Sequence, residues 1–317
     1  MKGIRLYYAT DIHGSDTCFR KFINAAKLYK ADVIIMGGDI TGKTITPIFE
    51  SKNGYRCILL GETVYAKDQK SLNEIREKII SIGSYPLVTT EEEYKTLQEN
   101  DEKRQALFES TITSSLRRWV ELADEKLNNI DVECYITPGN DDIPIVDELL
   151  EKSKKIINPN EKIVSVKGGH EMLSLGYSNM TPWNCPRDVP EETLKDKLDN
   201  LAGEIRNHSS SLYNIHVPPY GTGLDEAPEL DENLRPKIEP GRGLKTKPVG
   251  SIAVKESIFK NQPLLGLHGH IHESRGFVKI GRTLCLNPGS EYQEGVLKGA
   301  LIQIIEDKVR DFLFTTG

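Results

Sequence analysis

The sequence predicts an α/β fold, and three observations support this prediction. A short apolar run at residues 4–9 has the length and composition of a buried strand. Apolar side chains then recur at helical spacing from Phe19 to Ala26, and a second apolar run follows at residues 31–36. A strand, a helix and a strand in succession indicate two parallel strands joined by a crossover helix. We therefore expect a sheet that is covered by helices.

The next stretch interrupts this alternation. Residues 47–67 contain Asn53-Gly54 between β-branched and aromatic residues, which is a strong signal for a hairpin. A helix with a clear apolar stripe is expected at residues 108–127. We expect a hairpin and a first helix to form an insertion at residues 43–107, after which the 108–127 helix returns to the core.

The second half of the chain predicts further strands. Strands are expected at residues 132–137, 163–166, 172–175, 212–215 and 264–267, a helix from Pro190 to Ile205, and three or four short strands between 276 and 314. Residues 220–250 are rich in proline, glycine and charge, which predicts a long loop. Because no composition break divides the chain, we expect one domain at residues 1–317 that contains the insertion.

Composition and charge exclude several classes of protein. Hydrophobic residues make up 38% of the chain, beside 26 glycines, which is typical of globular proteins and not of disordered ones. The net charge of −6 disfavours the coating of long nucleic acids. The five cysteines are spread widely, which favours free thiols, and no apolar run approaches the length of a membrane span. We expect a cytoplasmic protein with no membrane partner.

Five short polar motifs each follow a predicted strand. They are Asp11-Ile12-His13, Gly38-Asp39, Gly139-Asn140, His216 and His270-Ile271-His272. Ligands of open α/β sheets bind beyond the carboxyl ends of the strands. Aspartate, histidine and asparagine are suitable donors for Mn, Fe, Zn or Ni. Each motif alone fits an ordinary turn or cap, but five of them in one chain predict a metal site.

This ordered set of motifs resembles the calcineurin-like metallophosphoesterase family. The pattern D-x-H, G-D, G-N-x-D, H and G-H-x-H runs from Asp11 to His272, and residues 286–290 are similar to the strand-turn of that family. The resemblance covers most of the chain except the insertion at residues 43–107. It implies a four-layer αββα sandwich of two mixed sheets, with a dinuclear metal centre at one edge.

The resemblance also implies a role for each motif. It assigns Asp11, His13 and His272 to the first metal, Asn140, His216 and His270 to the second, and Asp39 to both. The implied cofactors are two divalent ions, manganese foremost, with Fe, Zn or Ni as alternatives. The implied activity is hydrolysis of a small phosphoester by a metal-bridging hydroxide. Asp39, Asn140, Asp141 and Asp142 are the implied catalytic residues.

One position departs from the family pattern. Many members carry a histidine, the proton donor to the leaving group, where this chain has Asp141, and Asp142 matches the last aspartate of the motif. A carboxylate beside two dications should have a lowered pKa and stay ionised at neutral pH. We therefore hypothesise a preference for phosphodiesters or good leaving groups over simple monoesters. Alternatively, Asp141 is a spectator, and His268 or a metal-bound water supplies the proton.

Several alternatives stay open from the sequence. Asn179 and Trp183 lie in a stretch that resembles a substrate-side loop of some relatives, and with His268 they are the expected substrate contacts. Residues 37–44 match the P-loop expression G-x-x-x-x-G-K-[ST], which offers a nucleotide hydrolase as an alternative. A catalytically silent scaffold is a further alternative. The insertion either caps the metal edge or forms a dimer contact, and the oligomeric state is not predicted.

Overall fold

The computed structural model of this chain describes residues 3–239, 241 and 243–317. Its strands are β1 (Ile4–Ala9), β2 (Val33–Met36), β3 (Thr44–Ser51), β4 (Gly54–Leu59), β5 (Glu62–Ala66), β6 (Ser84–Thr89), β7 (Glu133–Ile136), β8 (Ile156–Ile157), β9 (Lys162–Val166), β10 (His170–Leu175), β11 (Ser178–Asn179), β12 (Asp188–Val189), β13 (Leu212–Ile215), β14 (Glu226–Pro228), β15 (Ile238–Glu239), β16 (Gly243–Leu244), β17 (Thr246–Pro248), β18 (Leu265–Leu267), β19 (Gly276–Ile280), β20 (Thr283–Asn287), β21 (Lys298–Ile305) and β22 (Lys308–Thr316). Its α-helices are α1 (Asp16–Leu28), α2 (Gln69–Ser81), α3 (Glu91–Gln98), α4 (Asp101–Leu127), α5 (Ile145–Leu150), α6 (Glu191–Glu204) and α7 (Ile252–Asn261). Within the described ranges, no helix has both the length and the apolar composition that a membrane crossing requires.

Two six-stranded sheets form the centre of the molecule. The first has the order β22-β21-β1-β2-β7-β8, in which β1, β2, β7 and β8 are parallel and β21 is antiparallel to β1. The second has the order β19-β20-β18-β13-β10-β9, with four parallel strands in the middle and an antiparallel strand at either edge. Both sheets are therefore mixed, as the resemblance implies.

Three apolar cores separate four layers. Leu6 and Leu267 belong to the core between the two sheets. Phe22 of α1 and Trp119 of α4 pack on the outer face of the first sheet, and Leu198 of α6 belongs to the core on the outer face of the second. Central strands are covered on both faces, which explains why they read as continuous apolar runs. The four-layer αββα sandwich is thus confirmed.

The insertion has a small sheet and a core of its own. Its strands have the order β5-β4-β3-β6, and Ile48 and Cys57 pack with Ile79 of α2. The predicted hairpin turn is confirmed, because Ser51 pairs with Gly54. The structure adds elements that the sequence does not predict, namely β6, which pairs parallel with β3, and the helix α3. The expected hairpin and helix are therefore only part of this segment.

The expectation of an irregular loop at residues 220–250 is wrong in part. Two short antiparallel ladders lie there, one between β14 and β17 and the other between β15 and β16. Their strands have two or three residues each, which is too short for any periodicity to show in the sequence. The segment leaves β13 after His216 and returns to the core through α7.

Candidate metal centre

The five polar motifs lie at the carboxyl ends of β1, β2, β7, β13 and β18, as predicted. Hydrogen bonds join the motifs of neighbouring strands and of the two sheets. The backbone N–H of Asp11 donates to the carbonyl of Gly38 at 2.9 Å, and the backbone N–H of His270 donates to Asp11 Oδ2 at 3.0 Å. The second contact crosses from the second sheet to the first. The fold therefore brings all five motifs to one edge of the sandwich.

Two groups of three side chains that share no residue place their donor atoms within 4.8 Å of one another, Asp11, His13 and His272, and Asp39, His216 and His270. A third group, His13, Asp39 and Asp141, overlaps both. The two groups adjoin at Asp39, because Asp39 Oδ2 lies 3.6 Å from His13 Nε2 and Asp39 Oδ1 lies 3.4 Å from His216 Nε2. These clustered carboxylates and imidazoles could hold metal ions.

Buried polar atoms at the cluster test whether these residues fit metal ions. His216 Nδ1 lies 3.0 Å from the carbonyl of Gly37, which places one ring proton on Nδ1 and leaves Nε2, once it is deprotonated, to bind a cation. Asn140 Nδ2 donates to Asp188 Oδ1 at 2.8 Å. Within the described residues, His216 Nε2 and Asn140 Oδ1 are buried and have no hydrogen-bond partner. An imidazole nitrogen and an amide oxygen beside carboxylates are suitable ligands for a divalent cation, so the residues fit.

The backbone at the motifs adopts a conformation that non-glycine residues avoid. Four of the expected ligands have φ in the left-handed region: Asp11 (54°), His13 (38°), Asp39 (49°) and His270 (67°). Such conformations cost about 1–3 kcal/mol each and persist where the surrounding structure imposes them. Their concentration at one cluster indicates that the fold positions these side chains for a function.

Two glycines allow the motifs to approach each other closely. A Cβ atom on Gly139 would lie 2.1 Å from Asp39 Oδ1, and one on Gly38 would lie 2.3 Å from His216 Nδ1. Neither position has room for a side chain, and Gly38 also has a φ of 127°. The Gly-Asp and Gly-Asn pairs of the sequence are thus explained by packing around Asp39 and His216.

Burial and close charges shift the pKa values of the cluster in opposite directions. Burial raises the pKa of Asp39, and together with Asp141 and Asp11 it holds this pKa at about 7 against the effect of His216. Burial lowers the pKa of His216, but the Asp39 and Asp11 carboxylates outweigh it and raise the pKa to about 10. Burial also raises the pKa of Asp11, but the neighbouring histidines hold it well below its usual value. The Asp39–His216 pair therefore retains a proton at neutral pH, which a cation would have to displace on binding.

Asp141 lies at the mouth of the cluster. Its backbone N–H donates to Asp39 Oδ1 at 3.0 Å, and its carboxylate forms an ion pair with Lys43. Burial raises the pKa of Asp141, but the opposite effects of Lys43, the Cys185 thiol and His13 are larger together. The pKa of Asp141 therefore lies well below its usual range. Asp141 is therefore ionised at neutral pH and holds no proton to donate.

Asp142, unlike Asp141, is bound by backbone N–H groups of two loops. Its carboxylate accepts hydrogen bonds from the backbone N–H groups of Ile40 (3.0 Å), Thr41 (2.9 Å) and Gly139 (2.7 Å), and from the Thr41 hydroxyl. The side chain is fully buried. Asp142 thus ties the loop after β2 to the loop after β7 and fixes the position of Asp39 between them.

The three expected substrate contacts lie in different surroundings. Asn179 Nδ2 donates to the carbonyl of Val249 at 3.3 Å, and the preceding Ser178 hydroxyl lies 3.3 Å from His270 Nε2, which puts Asn179 beside the cluster. The Trp183 side chain is 63% exposed. A Cβ on Gly266 would lie 2.8 Å from His268 Nε2 and 2.9 Å from Cys285 Sγ, so the His268 ring lies with the core under α6 and α7. That position does not support a contact between His268 and substrate.

Asp188 supports the cluster although it lies outside every sequence motif. Asp188 Oδ1 accepts from Asn140, and its Oδ2 accepts from the backbone N–H groups of Thr181 (3.1 Å) and Cys185 (2.9 Å). One carboxylate therefore orients an expected ligand and also holds the loop before β12. Asp188 belongs to none of the recognised motifs, so no signal in the sequence could have found it.

The P-loop alternative is wrong. A P-loop opens a helix directly after its lysine. Here Thr44 begins the strand β3, and the carboxylate of Asp39 lies among the histidines of the cluster. Lys43 is nevertheless close to the cluster, through its ion pair with Asp141.

Comparison with solved structures supports the fold. No protein-family profile matches the sequence. The uncharacterised protein MJ1162 of Methanocaldococcus jannaschii is 31% identical over 160 residues, a match that spans 50% of this chain and 64% of that protein. The solved structure of TT1561 from Thermus thermophilus aligns over 100% of this chain and 99% of its own, with a TM-score of 0.56 and 13% identity. A novel archaeal phosphodiesterase gives a TM-score of 0.38 and 10% identity over 99% of this chain and 100% of that one, a likeness that carries no argument about function. The similarity to TT1561 shows that the two chains share their fold.

Proposed function

We propose that this protein is a metal-dependent phosphoesterase of the calcineurin-like kind, with two divalent ions at the edge of the sandwich. The observation that carries the proposal is the pair of donor groups that adjoin at the Asp39 carboxylate. Asp11, His13 and His272 would hold one ion, and His216, His270 and Asn140 the other. Manganese is the first choice for a set of carboxylate, imidazole and amide donors, with Fe, Zn or Ni as alternatives.

The protein's own residues prepare the site for phosphoryl transfer. When bound, two such ions supply an activated water nucleophile and neutralise charge on a phosphoryl group. The carbonyl of Gly37 fixes the tautomer of His216, and Asp188 orients the amide of Asn140. Asp142 holds the loop that carries Asp39. These contacts set the donor atoms in place before substrate arrives, so the site needs little reorganisation.

The substrate preference follows from Asp141. Because this carboxylate is ionised, it gives no proton to a departing oxygen. We therefore infer a preference for phosphodiesters or other phosphoesters whose leaving groups are stable without protonation. The Asp141→His variant tests this inference. We expect it to speed the hydrolysis of alkyl esters more than that of aryl esters, and an unchanged leaving-group dependence would contradict the inference.

The insertion is placed to cap this site. Its first residue, Lys43, pairs with Asp141, and a Cβ on Gly83 would lie 2.3 Å from the carbonyl of His13. The starts of the parallel neighbours β3 and β6, which form one end of the small sheet, therefore both approach the cluster, which favours a cap over a remote dimer arm. A small phosphoester fits this proposal better than a long nucleic acid.

Hydrolysis of an aryl phosphodiester and of the matching phosphomonoester, with and without Mn²⁺, tests the proposed function. We expect metal-dependent turnover that favours the diester, and a loss of kcat/KM of at least about 100-fold in Asp39→Asn. Asp199→Asn on α6, where Asp199 pairs with Lys195 and Lys260, is the matched control and should keep wild-type rates. Absence of turnover with every metal would favour the silent scaffold instead.

A further inference from the structure

Lys43 has no part in the metal-ligand set, yet its ammonium lies at the mouth of the cluster. It forms an ion pair with the carboxylate of Asp141, whose Oδ2 lies 3.9 Å from His13 Nδ1. The Lys43 side chain is 45% exposed, whereas that of Asp141 is 15% exposed. The ammonium therefore faces the cluster on one side and solvent on the other, where an incoming ligand can reach it.

The backbone on both sides of Lys43 is fixed. The backbone N–H of Gly42 donates to the buried Tyr85 hydroxyl at 2.9 Å. On the other side, the Ser84 hydroxyl donates to the carbonyl of Thr44 at 3.0 Å, in the register where β3 pairs with β6. A lysine on a free loop would need no such supports. The chain is thus held so that this side chain starts next to the cluster.

Charge balance explains why a cation belongs at this position. Asp141 adds a third carboxylate next to Asp11 and Asp39, and an unpaired one would repel a phosphate. The Lys43–Asp141 pair has a net charge of zero. An ammonium has three N–H donors, and the pairing with Asp141 leaves donors for a second anion. Charge-assisted hydrogen bonds to phosphate oxygens are among the strong ones in proteins.

We propose that Lys43 is a substrate-binding residue, whose ammonium, held in place by Asp141, donates a hydrogen bond to a phosphoryl oxygen of the bound phosphoester. The inference rests on the proposed function, since it places the substrate's phosphoryl group at the metal centre. It also gives a role to the lysine of the P-loop-like sequence. In this protein the lysine that binds phosphate would precede a strand, whereas the lysine of a P-loop precedes a helix.

The affinity of the metal-loaded protein for inorganic phosphate, measured by isothermal titration calorimetry, tests the role of Lys43. We expect Lys43→Met to weaken phosphate binding about 10- to 100-fold. The number of ions per chain should stay at its wild-type value. Lys162→Met is the matched control, because Lys162 is an exposed lysine of β9 that pairs with Glu151 at 3.1 Å. It should bind phosphate like the wild type.

The double variant Lys43→Met/Asp141→Asn distinguishes binding of phosphate by Lys43 from neutralisation of the Asp141 charge by Lys43. It keeps the pair at zero charge but removes the ammonium. We expect its phosphate affinity to remain weak. Recovery to the wild-type affinity would show that Lys43 only screens Asp141 and would overturn the proposal, as would wild-type affinity in Lys43→Met.

The same experiment distinguishes failure of this inference from failure of the proposed function. A wild-type protein that binds phosphate with its metals but hydrolyses no phosphoester contradicts the proposed function alone. A hydrolase in which Lys43→Met binds phosphate normally contradicts the role of Lys43 alone. A loaded wild type that binds no phosphate contradicts both.

Discussion

The donor atoms of the candidate metal centre are oriented by groups that would not touch the metals. The Thr10 hydroxyl donates to Asp11 Oδ2 at 2.6 Å, and the carbonyl of Gly37 and the carboxylate of Asp188 act in the same way on His216 and Asn140. Such outer contacts fix the tautomer and direction of a ligand and are typical of metal sites. At the scale of single residues, the site therefore extends beyond its expected ligands.

Removal of one such contact should weaken metal binding. We expect Asp188→Ala to lower the affinity for Mn²⁺ about 10- to 100-fold, because the amide of Asn140 loses its hydrogen-bond acceptor and is free to rotate. Competition with a chromophoric chelator measures this affinity. Asp199→Ala on α6 is the control and should bind like the wild type. Unchanged affinity in Asp188→Ala would contradict the assignment of Asn140 as a ligand.

Metal binding should release protons and strengthen with pH. The pKa of His216 is raised to about 10, so its ring is protonated at neutral pH and must lose that proton before Nε2 can bind an ion. Affinity should therefore increase as pH rises from about 6 to 8, by up to about tenfold per unit for each proton released. Titration calorimetry in buffers of different ionisation enthalpy counts the protons. A pH-independent affinity without proton release would rule out His216 as a ligand.

The positions of the expected ligands could be predicted at this scale, whereas the residues that contact the cluster from distant loops could not. Asp11, His13 and His272 sit in short motifs at strand ends, and a motif can be read from a single sequence. Lys43 and Asp188 contact residues about 50 to 100 positions away, Asp141 and Asn140. Those contacts depend on how the loops fold over the cluster, which local patterns do not encode.

At the scale of elements, the fully buried strands were easier to predict than a partly buried edge strand. The strands β1, β13 and β20 are apolar and buried, so they stand out in the sequence. The strand β6 is an edge strand that contains Pro86, and an edge is where a sheet tolerates proline. The helix α7 exposes Phe259, 69% accessible, which blurs its apolar stripe.

The turn after β7 makes a prediction at this scale. A side chain at Gly139 would collide with Asp39 Oδ1 and with the backbone nitrogen of Asp39 at 2.2 Å. Gly139→Ala should therefore displace the shared carboxylate and lower metal content, while the sheets remain folded. Far-ultraviolet circular dichroism checks that the sheets remain folded, and elemental analysis measures the metal content. Gly203→Ala, in α6 where the added Cβ would have no atom within 4 Å beyond its own stretch of helix, is the control. Full metal content in Gly139→Ala would contradict the close packing around Asp39.

At the scale of the whole molecule, burial of His268 should make stability depend on pH. Burial lowers the pKa of His268 to about 4, below the value of about 6.5 in the unfolded chain. The unfolded state therefore binds more protons as pH falls from 6.5 to 4, and stability present above pH 6.5 is lost over that range. The loss amounts to about 2 kcal/mol between pH 7 and 5.

Urea unfolding at pH 7 and pH 5 measures this effect. The free energy of unfolding of His268→Gln should fall by about 2 kcal/mol less than that of the wild type over this interval, because glutamine does not titrate. Equal losses in both proteins would show that His268 titrates normally. Because the two proteins share all other buried histidines, the contributions of those residues cancel in the difference between the two losses.

The candidate metal centre draws its side chains from both sheets of the sandwich. Asp11 and Asp39 follow strands of the first sheet, whereas His216 and His272 follow strands of the second. Each donor group therefore combines both sheets, and no single sheet could form either one. Ions bound there would link the sheets and stabilise the folded state over the unfolded chain.

The number of divalent ions bound per chain tests the central claim most directly. Elemental analysis of protein loaded with Mn²⁺ and freed of excess metal should give about two ions per chain in the wild type, as a shared carboxylate between two donor groups requires. Asp39→Asn should retain fewer ions and lose hydrolysis, whereas Asp199→Asn should keep both. Two ions retained together with full turnover in Asp39→Asn, or no bound ion in the wild type, would contradict the account.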